Sequence, residues 1–183
     1  MNIAIAAIVG ALTWSFLEYV IHRWLGHDRR FRGNPFGVEH IRHHAEGGYF
    51  APNWKKGLVT LALIAVLTPP AWLLGGTVGA AYVVGLIGFY LVYEILHRLE
   101  HVHAGWSPYG RWARRHHFTH HFVDVKRNHG VTSPVWDVVF GTYRKPGNAA
   151  GIIPVPRKLA MQWLPDPTTG TVRSRWADVY QIV

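Results

Sequence analysis

From Gly57 to Tyr93 the chain runs for 37 residues without one charged side chain and without a histidine. As a single helix the run would be about 55 Å long at ~1.5 Å per residue. The hydrocarbon core of a bilayer is only about 30 Å thick. The run is therefore expected to fold back on itself, with Gly75-Gly76 as the turn and roughly 18 residues in each leg. Pro69-Pro70 is expected to kink the first leg. A buried hairpin of a water-soluble protein is the competing reading, but so long a charge-free stretch is hard to solvate.

Residues 1–17 are also free of charge and of histidine. The run from Met1 to Tyr19 lacks a basic start and a small-residue cleavage site, so it is read as a retained membrane helix. Three spans put residues 22–56 and 95–183 on one side. All 19 Lys and Arg fall there, seven in the first segment and twelve in the second. That asymmetry assigns this side to the cytoplasm. It also explains the formal net charge of +9 without nucleic acid as a partner. Zero cysteine excludes disulfides, thiolate catalysis and iron–sulfur clusters.

The expected architecture is all-α: an integral membrane protein of about three transmembrane helices with a cytoplasmic helical cap holding a dinuclear metal site. Residues 1–145 form the membrane domain with its histidine-rich cap, and 146–183 a Pro- and Gly-containing cytoplasmic tail. Within the cap a helix is expected over Arg111 to Phe122, after a turn at 107–110. A short helix is capped by Ser133, begins with Pro134 and ends before Gly141. Trp163 is expected at the membrane interface.

Twelve of the 13 histidines stand in four clusters. They are His22 with His27; His40, His43 and His44; His97, His101 and His103; and His116, His117, His120 and His121. His129 stands alone. Residues three or four apart share a helix face. The pattern H-x-x-H-H thus occurs twice, at His40/His43/His44 and at His117/His120/His121. His97 and His101 form an i, i+4 pair. His22 and His27 lie about 140° apart around a regular helix, so they converge only if the helix ends between them, which Gly26 allows. A lone histidine at a membrane surface is most often an ordinary hydrogen-bonding residue, the reading given to His103 and His129 alone.

So many imidazoles beside 14 arginines would repel one another if protonated. Metal ligation requires the neutral ring. About ten converging histidines are too many for one ion and suit two. Imidazole suits iron, zinc, copper and nickel; a redox-active pair activates dioxygen, which points to iron. A b-type haem held by His22 and His97 is an alternative that leaves most histidines unused. A metal transporter would place ligands near the bilayer midplane, where this sequence has none. Carboxylate di-iron proteins need paired Glu-x-x-His motifs, and only Glu94-Ile-Leu-His97 fits.

At these clusters the sequence resembles the fatty acid hydroxylase superfamily of membrane di-iron proteins, which includes fatty acid 2-hydroxylases, sterol desaturases and carotenoid hydroxylases. The resemblance covers roughly residues 15–145. It rests on Glu18-Tyr19 before His22 and His27, the two H-x-x-H-H motifs, the His97/His101 pair and the stretch from Gly130 to Tyr143 (G-V-T-S-P-V-W-D-V-V-F-G-T-Y). It implies ten metal ligands: His22, His27, His40, His43, His44, His97, His101, His117, His120 and His121. His116 competes with His117 but does not complete H-x-x-H-H. Glu18, Glu94 and Asp137 are candidates to orient ligand rings.

The resemblance further implies two iron ions, replaceable by zinc in purified protein, and hydroxylation or desaturation of a fatty acyl, sterol or related lipid with O2. A carotenoid hydroxylase of the same superfamily is the alternative within it. No cytochrome b5 domain is recognisable, so electrons are expected from a separate donor, a ferredoxin or cytochrome b5-like protein. Phe89, Tyr90, Tyr93, Trp136 and Phe140 are candidates to line lipid entry. The expected location is a bacterial inner (cytoplasmic) membrane, with the histidines facing the cytoplasm.

Overall fold

The computed structural model describes every residue except Met1, Arg32 and Trp106. Met1, the first residue of the expected N-terminal span, therefore lies outside the described residues. The chain is mostly helical. Helix α1 (Ile3–Val20) runs into a π-helical turn (Ile21–Gly26), followed by a 3-10 turn (Arg29–Phe31) and α2 (Pro35–Ala45). Then come α3 (Asn53–Val102), α4 (Pro108–Phe122) and α5 (Val135–Val139). Strands β1 (Ile153–Val155) and β2 (Tyr180–Ile182) correct the all-α expectation in a small way. They pair in parallel, Ile153 opposite Tyr180. β-Branched Ile153 and Val155 bury alternate positions against Phe118.

Two stretches, Ile3–Gly26 and Asn53–Val102, are long and apolar enough to cross a membrane. The second is broken at Gly76, whose φ of 54° and ψ of −130° leave the helical region. Only glycine adopts such a conformation at no steric cost. No break accompanies Pro69-Pro70, where a kink was expected: α3 keeps helical angles through both prolines. Their fixed φ near −65° is itself helical; what is lost is their two N–H donors.

One compact unit comprises residues 1–18 and 51–95. Its helices meet through small residues. A Cβ on Gly10 would fall 2.0 Å from the Tyr82 carbonyl oxygen, and one on Gly85 1.9 Å from that of Ala7. Close backbone approach of this kind is how helices associate in lipid, where apolar side chains gain nothing by leaving the solvent. Trp14 packs on Tyr90 and Tyr93, at centroid distances of 4.7 and 6.1 Å. The two tyrosines proposed to line lipid entry are thus buried against Trp14. Large apolar side chains point outward; Leu74 is 90% exposed. Apolar exposure on this scale suits a hydrocarbon solvent. Lys56 pairs with Glu94 within this unit, so Glu94 holds a lysine.

The other unit comprises residues 19–50 and 96–183 and holds all 13 histidines. Both of its helices with an H-x-x-H-H motif begin alike. Asn34 accepts the N–H of Gly37 at 2.9 Å ahead of Pro35, and Ser107 accepts that of Gly110 at 3.0 Å ahead of Pro108. A side-chain cap followed by proline at the first helical position is a strong start signal. Helix α4 therefore begins three residues earlier than expected, and the turn at 107–110 is its first turn. Ser133 accepts the N–H of Val135 at 3.2 Å, so α5 starts near its expected place. Residues 146–183, expected as a tail, pack onto α4: Phe118 shares a core with Ile153, Val155, Met161, Leu164 and Tyr180. Trp163, expected at a membrane interface, takes part in this packing; its indole N–H donates to the His101 carbonyl at 2.9 Å.

Candidate metal centre

The ten histidines expected as ligands fall into two groups of five. His22, His27, His40, His44 and His120 form the first; His43, His97, His101, His117 and His121 form the second. In each, the five candidate ligand atoms lie within 4.8 Å of one another. Each H-x-x-H-H motif is divided between the groups. α2 gives its i, i+4 pair, His40 and His44, to the first group and His43 to the second. α4 does the reverse, giving His117 and His121 to the second and His120 to the first. At 100° per residue, positions i and i+4 nearly overlap while i+3 points about 100° away from i+4. One helix therefore serves two adjacent centres.

His22 and His27 reach the first group by a route the sequence reading did not anticipate. The helix does not simply end between them; it widens into a π turn over Ile21–Gly26. Hydrogen bonding from i to i+5 brings residues five apart onto one face, and the two rings sit 5.2 Å apart.

Four rings have their outer nitrogen fixed by backbone carbonyls. Nδ1 of His22 meets the His129 oxygen at 2.5 Å, and Nδ1 of His120 that of Arg127 at 2.8 Å. In the second group Nδ1 of His43 meets the Tyr49 oxygen at 2.6 Å, and Nδ1 of His101 that of Gly47 at 3.0 Å. A carbonyl only accepts, so each Nδ1 carries the proton and each Nε2 keeps its lone pair. The Nε2 atoms of His22 and His120 then face each other at 3.0 Å with no proton between them. Burial first, and then neighbouring histidines, hold His120 well below the ordinary histidine pKa, so an imidazolium does not resolve the clash. Two lone pairs held face to face make a site for a cation.

Spacing supports this fit. Nε2–Nε2 distances are 2.8 Å for His27–His40, 2.9 Å for His27–His120, 3.1 Å for His40–His44, and 3.0 Å for both His43–His97 and His101–His117. Nitrogens at right angles about a ~2.1 Å metal–nitrogen bond would stand about 3.0 Å apart, against about 3.4 Å in a tetrahedron. Burial also lowers the pKa of His40, His44, His117 and His121, and brings His27 to about 4 with His129 as the second cause. All are thereby kept in the neutral form that binds metal.

The remaining histidines have other places. His103 is exposed near the end of α3. His116 is buried with Nε2 3.3 Å from Asp137, its ring between Trp112 and Tyr143. His129 lies beside the first group, its ring centroid 5.2 Å from that of His120, and contributes the carbonyl that holds His22. Burial first brings its own pKa to about 4. The haem alternative loses its axial pair, since His22 and His97 stand in different groups.

Asp137 was expected to touch a ligand ring and acts one step further out. Its carboxylate accepts the N–H groups of His129 and Gly130, each at 2.8 Å, and the Thr142 hydroxyl at 2.7 Å. Burial raises its pKa, but these bonds and His116 outweigh that and hold it below the ordinary aspartate range. Asn128, in the left-handed region at φ 57°, binds Arg144 through both ends of its amide. The loop from Arg127 to His129 is thereby locked with two carbonyls on ligand rings. This explains the stretch ending W-D-V-V-F-G-T-Y: it supplies Asp137 and Thr142, stacks Phe140 on Tyr19 at 5.3 Å and Tyr143 on His116 at 5.9 Å. Phe140 is thus not simply an entry residue. The carbonyl partners Gly47, Tyr49 and Arg127 act through backbone and carried no signal in the sequence.

The profile of the family described as fatty acid hydroxylase matches residues 7–142. The chain is 31% identical over 151 residues to a dihydroceramide fatty acyl 2-hydroxylase of Arabidopsis thaliana, covering 77% of this chain and 61% of that one. It is 34% identical to the ceramide very long chain fatty acid hydroxylase of Saccharomyces cerevisiae (75% and 38%) and 32% identical to human fatty acid 2-hydroxylase (74% and 38%). It thus spans less than two thirds of the length of these relatives. Among solved structures it superposes on full-length scs7p, of which only the hydroxylase domain is visible, with a TM-score of 0.63 and 27% identity over 81% of this chain and 60% of that one. With the profile covering both H-x-x-H-H motifs and the Asp137–Thr142 stretch that locks the loop behind His120, the chain belongs to the fatty acid hydroxylase family.

Proposed function

We propose that the protein is a membrane-bound di-iron monooxygenase that hydroxylates a C–H position of a fatty acyl lipid. His22, His27, His40, His44 and His120 would hold one iron, and His43, His97, His101, His117 and His121 the other. When bound, the pair supplies activation of O2. The balance is one C–H bond and one O2 consumed with two electrons and two protons, giving an alcohol and water. The electrons come from a separate ferredoxin or cytochrome b5-like donor. The chain's own part is to keep the Nε2 atoms of His22, His120, His43 and His101 unprotonated through the carbonyls of His129, Arg127, Tyr49 and Gly47, and to exclude water. Phe50, 5.0 Å from the His43 ring and 5.6 Å from that of His97, forms an apolar wall on the second group.

In this reading residues 1–145 are the membrane domain. The hairpin broken at Gly76 makes the second and third spans, and the histidines face the cytoplasm as the basic residues require. The long apolar stretches support a membrane location; the named relatives are eukaryotic and lend nothing to a bacterial inner membrane. The names of these relatives favour hydroxylation over desaturation, and an acyl chain such as that of a ceramide over a sterol or carotenoid.

The observation that carries the reading is the pair of facing Nε2 lone pairs of His22 and His120. Iron analysis of detergent-purified, iron-supplemented protein tests the centre, with two irons per chain expected. Mass spectrometry of host lipids under isotopically labelled dioxygen tests the reaction. A labelled hydroxy-acyl product supports it, a new double bond without label means desaturation, and a fully folded chain that takes up no transition metal overturns it.

A further inference from the structure

The helix that carries His97 and His101 ends at Val102, and the last carbonyls of a helix have no partner within it. Two of the carbonyls at this end are taken by residues distant in sequence. The indole N–H of Trp163 donates to the His101 oxygen at 2.9 Å, and Nη1 of Arg114 donates to that of His103 at 3.0 Å. Arg114 is 1% exposed, and its guanidinium lies 4.3 Å from the Trp163 ring, 4.9 Å from Trp176 and 5.7 Å from Tyr180. Its Nε also donates to the Tyr180 hydroxyl at 3.0 Å. A cation held in an aromatic cage at a helix C-terminus is favoured by both the ring faces and the helix dipole.

The same segment reaches the other side of His101. Its Nδ1 proton is taken by the Gly47 carbonyl, and Gly47 lies against Leu159: a Cβ there would stand 3.1 Å from the Leu159 oxygen. Residues 159–163 thus touch both the backbone of His101 and the residue whose carbonyl orients its ring. They lie beyond residues 7–142, the part that the family profile matches.

We propose that the C-terminal segment, through Trp163, is a positioning element for the second five-histidine group and not for the first. This rests on the metal-binding reading above. Trp163 touches no ligand nitrogen; it fixes the backbone from which His101 projects.

Trp176 supplies a matched control. It lies in the same aromatic cage, but its buried indole N–H has no hydrogen-bond partner among the described residues. Trp163→Phe and Trp176→Phe remove the same atoms from one cage, and only the first removes a bond to His101. The test is titration of detergent-purified, metal-stripped full-length protein with cobalt(II), read by its visible absorption, with folding checked by circular dichroism. Wild type is expected to show two binding events. Trp163→Phe should weaken one of them by about three- to tenfold, the worth of one hydrogen bond, and leave the other unchanged. Trp176→Phe should leave both within error. Equal losses in the two variants, or a loss at both events in Trp163→Phe, would mean general packing and overturn the proposal. So would an unchanged Trp163→Phe titration. A folded wild type that binds no cobalt fails the metal-binding reading itself and takes this inference with it.

Discussion

The two histidine groups have the same ligand arithmetic and different supports. Each receives an i, i+4 pair from one H-x-x-H-H helix, the single middle histidine from the other, and two residues from the end of an apolar helix. Around them the architecture diverges. The first group is braced by one rigid loop, Arg127 to Gly130, locked by Asp137 and Asn128. The second is braced by the turn after α2, where Gly47 and Tyr49 give carbonyls, and by the C-terminal segment behind it. Tyr49 is held in turn by its hydroxyl on Glu39 and by Arg42, 4.0 Å over its ring. One support is a hydrogen-bond hub centred on a buried carboxylate, and the other a packed clamp of aromatic rings and arginines. The same arrangement of histidines can therefore recur in both groups while the sensitivity of each to mutation differs.

The largest effects should come from the ligands and should break the pair symmetrically. His120→Ala and His43→Ala are each expected to lower metal content from two ions to one and to cost activity more than about 100-fold, beyond the loss of an outer partner. The protein should stay in the membrane, as fractionation would check. Loss of both ions from either variant would mean that the groups are not separable centres.

Asp137→Asn should break the symmetry. It removes a buried carboxylate that accepts two backbone N–H groups, so a loss of about 2–3 kcal/mol in stability is expected. Metal affinity should fall about tenfold at one centre only. The pH dependence sharpens this. The folded pKa of Asp137 is depressed, so its contribution is present above the ordinary aspartate range and disappears as pH falls through the lower folded value. Thermal unfolding of Asp137→Asn should lack that part of the acid limb, and an unchanged limb would exclude the hub. The smallest effect is expected from His103→Ala. His103 is exposed and outside both groups, so two ions and near-normal activity should remain; damage equal to that of His120→Ala would show the ligand set to be wrong.

Much of the site was legible in the chain. The i, i+4 spacing of His40/His44, His97/His101 and His117/His121 follows from helix periodicity alone, and it singles out the residues that assemble. His117 over His116 followed from motif completion, and the structure sets His117 in the second group and His116 on Asp137. The Gly75-Gly76 turn was readable because only glycine tolerates the backbone that α3 adopts at Gly76. The π turn was not. It needs a local change in helix pitch, and nothing in Ile21–Gly26 distinguishes it from an ordinary helix end. The carbonyls on the ligand rings were equally invisible, since any residue carries a carbonyl.

The sequence by itself determined which solvent each part requires and the i, i+4 histidine pairs, because charge and periodicity are local properties; the i+3 histidine, expected on the same face, went to the other group. The starts of α2 and α4 at Asn34-Pro35 and Ser107-Pro108 became plain only with the caps in view, α4 beginning three residues before the expected Arg111. Only the tertiary structure decided how two H-x-x-H-H motifs divide between two centres. A histidine's partner is then set by the neighbouring helix across the gap, a relation that spacing along one chain does not contain. It also decided that residues 146–183 pack onto α4 and the end of α3, because the partners of Arg114 and Trp163 are separated in sequence and meet only on packing.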